Sequence, residues 1–136
     1  MPEPSKKKIL VVDDEYDICD LLKGHLENLG FDVSLAYEGA EAYRKVLALS
    51  PDCILLDIRI KQGEDALTFL RKLRSYRDDD LDRQSQIRRM PVIVLTGSGV
   101  QMRALFEQEG INDYLIKPFD IEILKSRIYK VVGQTF

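Results

Sequence analysis

A chain of 136 residues has the length of one domain and can bury a core without disulfides or a structural metal. Apolar residues make up 45% and charged residues 32%, the ordinary balance of a soluble globular protein. The net charge of −3 is too mild to point to nucleic acid or an anionic membrane surface, and neither is expected as a partner.

The basic start, Met1 to Lys8, leads into a run of only four or five apolar residues, too short for a signal peptide or a membrane span. Ile9 to Val12 reads as a short strand that stops at Asp13-Asp14. Ile18, Leu21, Leu22, Leu26 and Leu29 then recur at helical spacing, up to Gly30, a natural residue for a helix end. His25 falls on that helix and lacks the partners a metal or nucleophile role needs. Phe31 to Ala36 reads as a second strand, and Ala42, Val46 and Leu49 mark a second helix that Ser50-Pro51 breaks. Cys53 to Leu56 is apolar throughout and again stops at an acid, Asp57. Leu67, Leu70 and Leu73 predict a third helix. The segment Ser75 to Arg89 is highly charged with no steady apolar period, and reads as that helix running into an exposed, partly mobile loop. Val92 to Leu95 is a fourth strand, Val100 to Glu109 a weaker helix and Tyr114 to Ile116 a fifth strand. Ile121, Leu124, Ile128 and Val131 give the last helix. Cys19 and Cys53, the only cysteines, sit in apolar stretches and read as buried reduced thiols, which suits a cytoplasmic setting.

Successive β–α units with near-continuous apolar strands predict an α/β fold, a parallel sheet covered on both faces. One domain is expected over residues 1–136, with a core of about 7–132. In such a sheet, ligands bind at the carboxyl ends of the strands. Those ends carry Asp13-Asp14, Asp57, Thr96 and Lys117. Crowded carboxylates repel and raise each other's pKa unless a cation relieves them, and hard oxygen ligands of this charge suit Mg²⁺. The set also suits phosphoryl transfer, with a carboxylate as acceptor and an ammonium and a metal neutralising the transferred group. Singly, each residue has a plainer reading: Asp13 or Asp14 as a helix cap, Asp57 in a turn, Thr96 a strand-end hydroxyl, Lys117 a solvated charge. Together they demand an accident at every strand end on one edge.

The stretches ILVVDDE, CILLDIRI, VIVLTGSG and DYLIKPF jointly resemble the receiver domain of two-component response regulators, from Lys7 to Val132. The resemblance implies a flavodoxin-like, doubly wound (βα)5 sheet of strand order 2-1-3-4-5, and a signalling switch rather than a conventional enzyme. Asp57 would take a phosphoryl group from the phosphohistidine of a histidine kinase or phosphotransfer protein. Mg²⁺ would sit on Asp13, Asp14, Asp57 and the backbone carbonyl of Arg59, with Asp14 a direct ligand and Asp13 acting mainly through water. Lys117 would contact the phosphoryl oxygens. Thr96 would hydrogen-bond the phosphorylated Asp57, and Tyr114 would turn inward in response. Lys117-Pro118 occupies the place of the family's usual cis bond. The altered surface would engage a downstream target, or an effector domain outside residues 1–136, and a homodimer is compatible with this.

Two departures from the family pattern stand out. Receivers commonly carry Pro four residues after the phosphoacceptor, followed by Gly, whereas this loop reads Ile60-Lys61-Gln62-Gly63 and is one residue longer. The Ser75–Arg89 segment is also long for its place, and reads as a tolerated insertion more than a partner surface. Arg59 and Ser98 flank the acceptor at positions the family varies, and Arg59 is expected to shield an acyl phosphate from water. An aspartyl-phosphate hydrolase of the dehalogenase type would need a second Asp where Arg59 stands. A flavin module would need a first loop rich in Ser, Thr and Gly, where Asp13-Asp14-Glu15 would repel phosphate. A degenerate receiver, acting only as an interaction module, should have lost an acidic, hydroxyl or lysine position, and none is missing.

Overall fold

The computed structural model describes residues 6–97 and 100–133. In chain order the elements are β1 (Lys8–Val12), α1 (Tyr16–Asn28), β2 (Asp32–Ala36), α2 (Gly39–Leu49), β3 (Cys53–Asp57) and α3 (Ala66–Arg74). There follow α4 (Leu81–Arg88), β4 (Val92–Thr96), α5 (Val100–Glu109), β5 (Asp113–Ile116) and α6 (Ile121–Val131). All neighbouring strands pair in parallel, in the order β2-β1-β3-β4-β5. The doubly wound α/β sheet and its strand order are therefore as expected.

Strand side chains alternate between faces. Leu10, Val12, Ile54, Leu56, Val92 and Val94 enter one core, with Val46, Phe69, Leu70 and Phe106 from α2, α3 and α5. Ile9, Val11, Cys53, Leu55, Ile93 and Leu95 enter the other, with Leu22, Leu26, Leu124 and Ile128 from α1 and α6. Because both faces are covered, the inner strands are apolar from Ile9 to Val12, Cys53 to Leu56 and Val92 to Leu95, which is why they read as unbroken runs. No helix among the described residues is long and apolar enough to cross a membrane.

Two expectations need correction. Leu21 does not join the inner face of α1; it is 58% exposed, while Cys19, Leu22 and Leu26 form the buried stripe. A single-residue step turns a side chain by about 100° around a helix, and with Cys19, Leu22 and Leu26 set on the sheet, Leu21 falls on the solvent side. The second correction concerns Ser75–Arg89. The third helix stops at Arg74, and a separate helix, α4, follows it. Asp80 caps α4 by accepting from the amides of Asp82 and Arg83. Ile87 is fully buried, but most of what holds α4 is polar. Arg83 donates to the Leu47 carbonyl at 2.6 Å and Arg88 to the Tyr76 carbonyl at 2.6 Å. From α3, Arg74 donates to the carbonyls of Arg88, Met90 and Gly110 at 2.7–2.9 Å. Contacts of this kind leave no apolar period in a sequence.

Candidate functional site

The carboxyl edge of the sheet brings the strand-end residues together. The Asp13 amide extends the β1–β2 ladder, donating to Ala36 O at 3.0 Å, so the residue after β1 is held as firmly as the strand. Asp57 is the last residue of β3, opposite Leu95 of β4, and Thr96 is one position further along. Lys117 follows β5, and its amide donates to Thr96 O at 2.6 Å. The Lys117-Pro118 peptide is cis, as expected. Asp13, Asp57 and Thr96 are the buried polar residues among those described.

The Lys117 ammonium donates to Asp57 Oδ2 at 2.6 Å and lies 3.5 Å from Asp13 Oδ2. Main-chain amides fix the other carboxylate oxygens. Glu15 N–H donates to Asp13 Oδ1 at 3.0 Å, Arg59 N–H to Asp57 Oδ1 at 2.7 Å, and Lys61 N–H to Asp14 Oδ2 at 2.8 Å. Burial is the main reason the Asp13 carboxyl is pushed up to about 6; the Asp57 charge adds to it, while the Glu15 amide and Lys117 oppose it. Burial alone would lower the Lys117 pKa, but its hydrogen bond and ion pair with Asp57, helped by Asp13, raise it instead. Behind the acids, the Cys19 thiol donates to Asp13 O at 3.2 Å, and burial followed by the Asp13 charge pushes it up to about 12.

One oxygen from each of Asp13, Asp14 and Glu15 can be chosen so that all lie within 4.8 Å of one another. The donor set is all oxygen. Asp13, Asp14 and Asp57 against Lys117 leave two negative charges, which one divalent cation would balance. These residues fit a hard divalent ion.

Of the residues picked out by sequence, Asp13, Asp57 and Lys117 meet directly, Asp14 flanks them and Thr96 is sealed at the end of β4. Arg59 touches the site through its amide on Asp57. Tyr114 is not in the pocket; it is buried in the core beneath α5, with the Arg103 guanidinium 4.9 Å from its ring centre. Ser98 lies outside the described residues. Two participants escaped the sequence reading. Glu15 was visible as the third acid of the DDE run. The Lys61 amide had no side-chain signal, apart from the absence of proline at that position.

The pattern of the response regulator receiver domain family matches residues 9–129. The chain is 33% identical over 129 residues to the DNA-binding dual master transcriptional regulator RpaA of Synechocystis, covering 94% of this chain and 50% of that protein. It is 37% identical over 127 residues to the transcriptional regulatory protein PrrA of Mycobacterium leprae, covering 91% and 49%. The chain thus spans about half the length of these curated relatives. Among solved structures, the receiver domain of the sensor histidine kinase PA1611 from Pseudomonas aeruginosa superposes with a TM-score of 0.80 at 30% identity, covering 96% of this chain and 100% of that one. That structure has a magnesium ion coordinated in its active-site cleft.

Proposed function

The chain belongs to the response regulator receiver domain family, and from that premise we propose that it is a phosphoacceptor switch whose acceptor is Asp57. The observation that carries this reading is the contact of Lys117 with both Asp57, at 2.6 Å, and Asp13, at 3.5 Å, beside Asp14 on the carboxyl edge of the sheet. An Asp57 oxygen attacks phosphorus, the P–O bond forms, and the P–N bond to the histidine of a histidine kinase or phosphotransfer protein breaks, leaving that imidazole neutral once it takes a proton. Mg²⁺, held by Asp13, Asp14, Asp57 and the Arg59 carbonyl, supplies positive charge to the phosphoryl oxygens when bound. Lys117 would supply the rest, and its present bond to Asp57 keeps it within reach of them. The Arg59 amide keeps one Asp57 oxygen oriented, leaving the carboxylate pre-aimed rather than free to rotate.

The chain catalyses this step only upon itself, together with slow hydrolysis of the acyl phosphate. Thr96 then reaches for the phosphoryl group, Tyr114 adjusts behind it, and the changed surface binds a target protein or an effector domain. Two buried free thiols fit a cytoplasmic setting. Incubation with acetyl phosphate and Mg²⁺ tests the reading. Intact mass should rise by one phosphoryl group in the wild type and not in Asp57→Asn; equal labelling of the variant would remove Asp57 as the acceptor.

A further inference from the structure

Asp14 differs from its two carboxylate neighbours in what holds it. Asp57 takes Lys117 and the Arg59 amide, and Asp13 takes the Glu15 amide two residues on. Asp14 instead takes a main-chain N–H from 47 residues away, that of Lys61 in the β3–α3 loop, at 2.8 Å. Lys61 stands four residues after Asp57, where receivers commonly carry proline, and proline has no N–H to give.

The loop that carries this amide is fixed on both sides of it. Towards β3, Arg59 N–H is bonded to Asp57, and Ile60 is buried. Towards α3, the Gly39 amide at the start of α2 donates to Glu64 O at 2.7 Å. Gly63 has φ of +74°, and a Cβ there would lie 2.7 Å from Glu38 Cγ; a Cβ on Gly39 would lie 2.8 Å from Glu64 O. Only glycines allow α2 and the loop to come this close. The Lys61 N–H is therefore delivered to Asp14 by a braced segment. A carboxylate has two oxygens with room for several partners, so an N–H on one orients the other without blocking it. Partners that orient a metal ligand commonly change metal affinity by about 10–100-fold.

We propose that Lys61 is a positioning residue for Asp14, acting through its main-chain N–H, so that cation occupancy and the β3–α3 loop are coupled. The proposal rests on the receiver reading in taking Asp14 as a ligand of the cation, while the hydrogen bond itself can be tested without metal. In the metal-free full chain, hydrogen exchange at the Lys61 amide, followed by NMR, should be slow and should quicken roughly tenfold in Asp14→Ala. The amides of Leu55 and Leu56 should keep their rates. Unchanged exchange at Lys61 overturns the proposal, whatever Asp57 accepts. In calorimetric titrations with Mg²⁺, Lys61→Ala keeps the N–H and should match the wild type, while Lys61→Pro should bind about tenfold more weakly. Equal affinity in Lys61→Pro overturns the coupling. Should that variant fail to fold, the wild type decides: its Lys61 amide resonance must move with Mg²⁺ at the same midpoint as that of Asp14. Binding that leaves the Lys61 amide unmoved overturns the coupling alone, whereas a wild type that binds no Mg²⁺ overturns both the coupling and the receiver reading.

Discussion

Asp13 is nearly sealed from water, at 3% exposure, and shares its ammonium partner with a second carboxylate. Its carboxyl is raised from 3.8 to about 6, so between those values the folded protein holds a proton that the unfolded chain has released. The contribution of Asp13 to stability is therefore fully present below pH 3.8 and is lost as pH rises through about 6. At neutral pH its ionised carboxylate weakens the metal-free fold. Asp13→Asn is expected to stabilise the metal-free protein at pH 7 by roughly 1–2 kcal/mol, and to flatten the decline in stability across the same pH range. Urea unfolding in EDTA at a series of pH values checks this, and a less stable variant at pH 7 would contradict it. At this scale the sequence was informative wherever a side chain ends a strand. Asp13, Asp57, Thr96 and Lys117 could be placed together because strand ends in a parallel sheet share one edge. The Lys61 amide could not, since every residue but proline carries that donor, and only a folded loop decides which one is aimed.

Helix α4 shows what periodicity does and does not encode. The strands and α2, α3 and α6 were legible because each buries a stripe of apolar side chains. Helix α4 buries only Ile87, and its other long apolar side chain, Leu81, is 70% exposed. Its anchors are arginines: Arg83 reaches the Leu47 carbonyl on α2, Arg88 the Tyr76 carbonyl in the turn before α4, and Arg74 of α3 the Arg88 carbonyl, so the charge that suggested a solvated loop is what docks the helix. Bonds from a charged donor commonly contribute about 1.5–3 kcal/mol each. The amides of Gln84 to Arg88 should accordingly exchange more slowly than those of Arg77 to Asp79, as measured by hydrogen exchange. Asp80→Ala, which removes the cap, should cost about 1 kcal/mol and speed exchange through α4 first. Equal rates across the whole of 75–89 would mean that the segment is the loose loop its composition suggests.

At the scale of the whole molecule, the sheet separates two cores, and the acidic edge touches both through β1, β3 and β4. Met102 and Leu105 on α5, Ile116 on β5 and Ile123 on α6 are large apolar side chains left 39–53% exposed. Tyr114 is buried in the core that α5 covers. Beryllofluoride with Mg²⁺ should therefore shift amide resonances from Thr96 through α5 and at Tyr114, while the far end of α5 moves less because Arg74 pins Gly110 O. If Thr96 and Tyr114 keep their rotamers and α5 keeps its place, the switch does not run through them. The two cysteines give the same architecture a built-in clock. Only the thiolate attacks an alkylating reagent readily, and burial pushes both thiols well above neutral pH, Cys19 to about 12 and Cys53 further. Labelling at Cys53, in the middle of the sheet, therefore counts only molecules that have come apart. Labelling at Cys19 also counts those in which α1 has lifted from the acidic loop, and the ratio of the two rates separates local breathing from global unfolding with no probe attached.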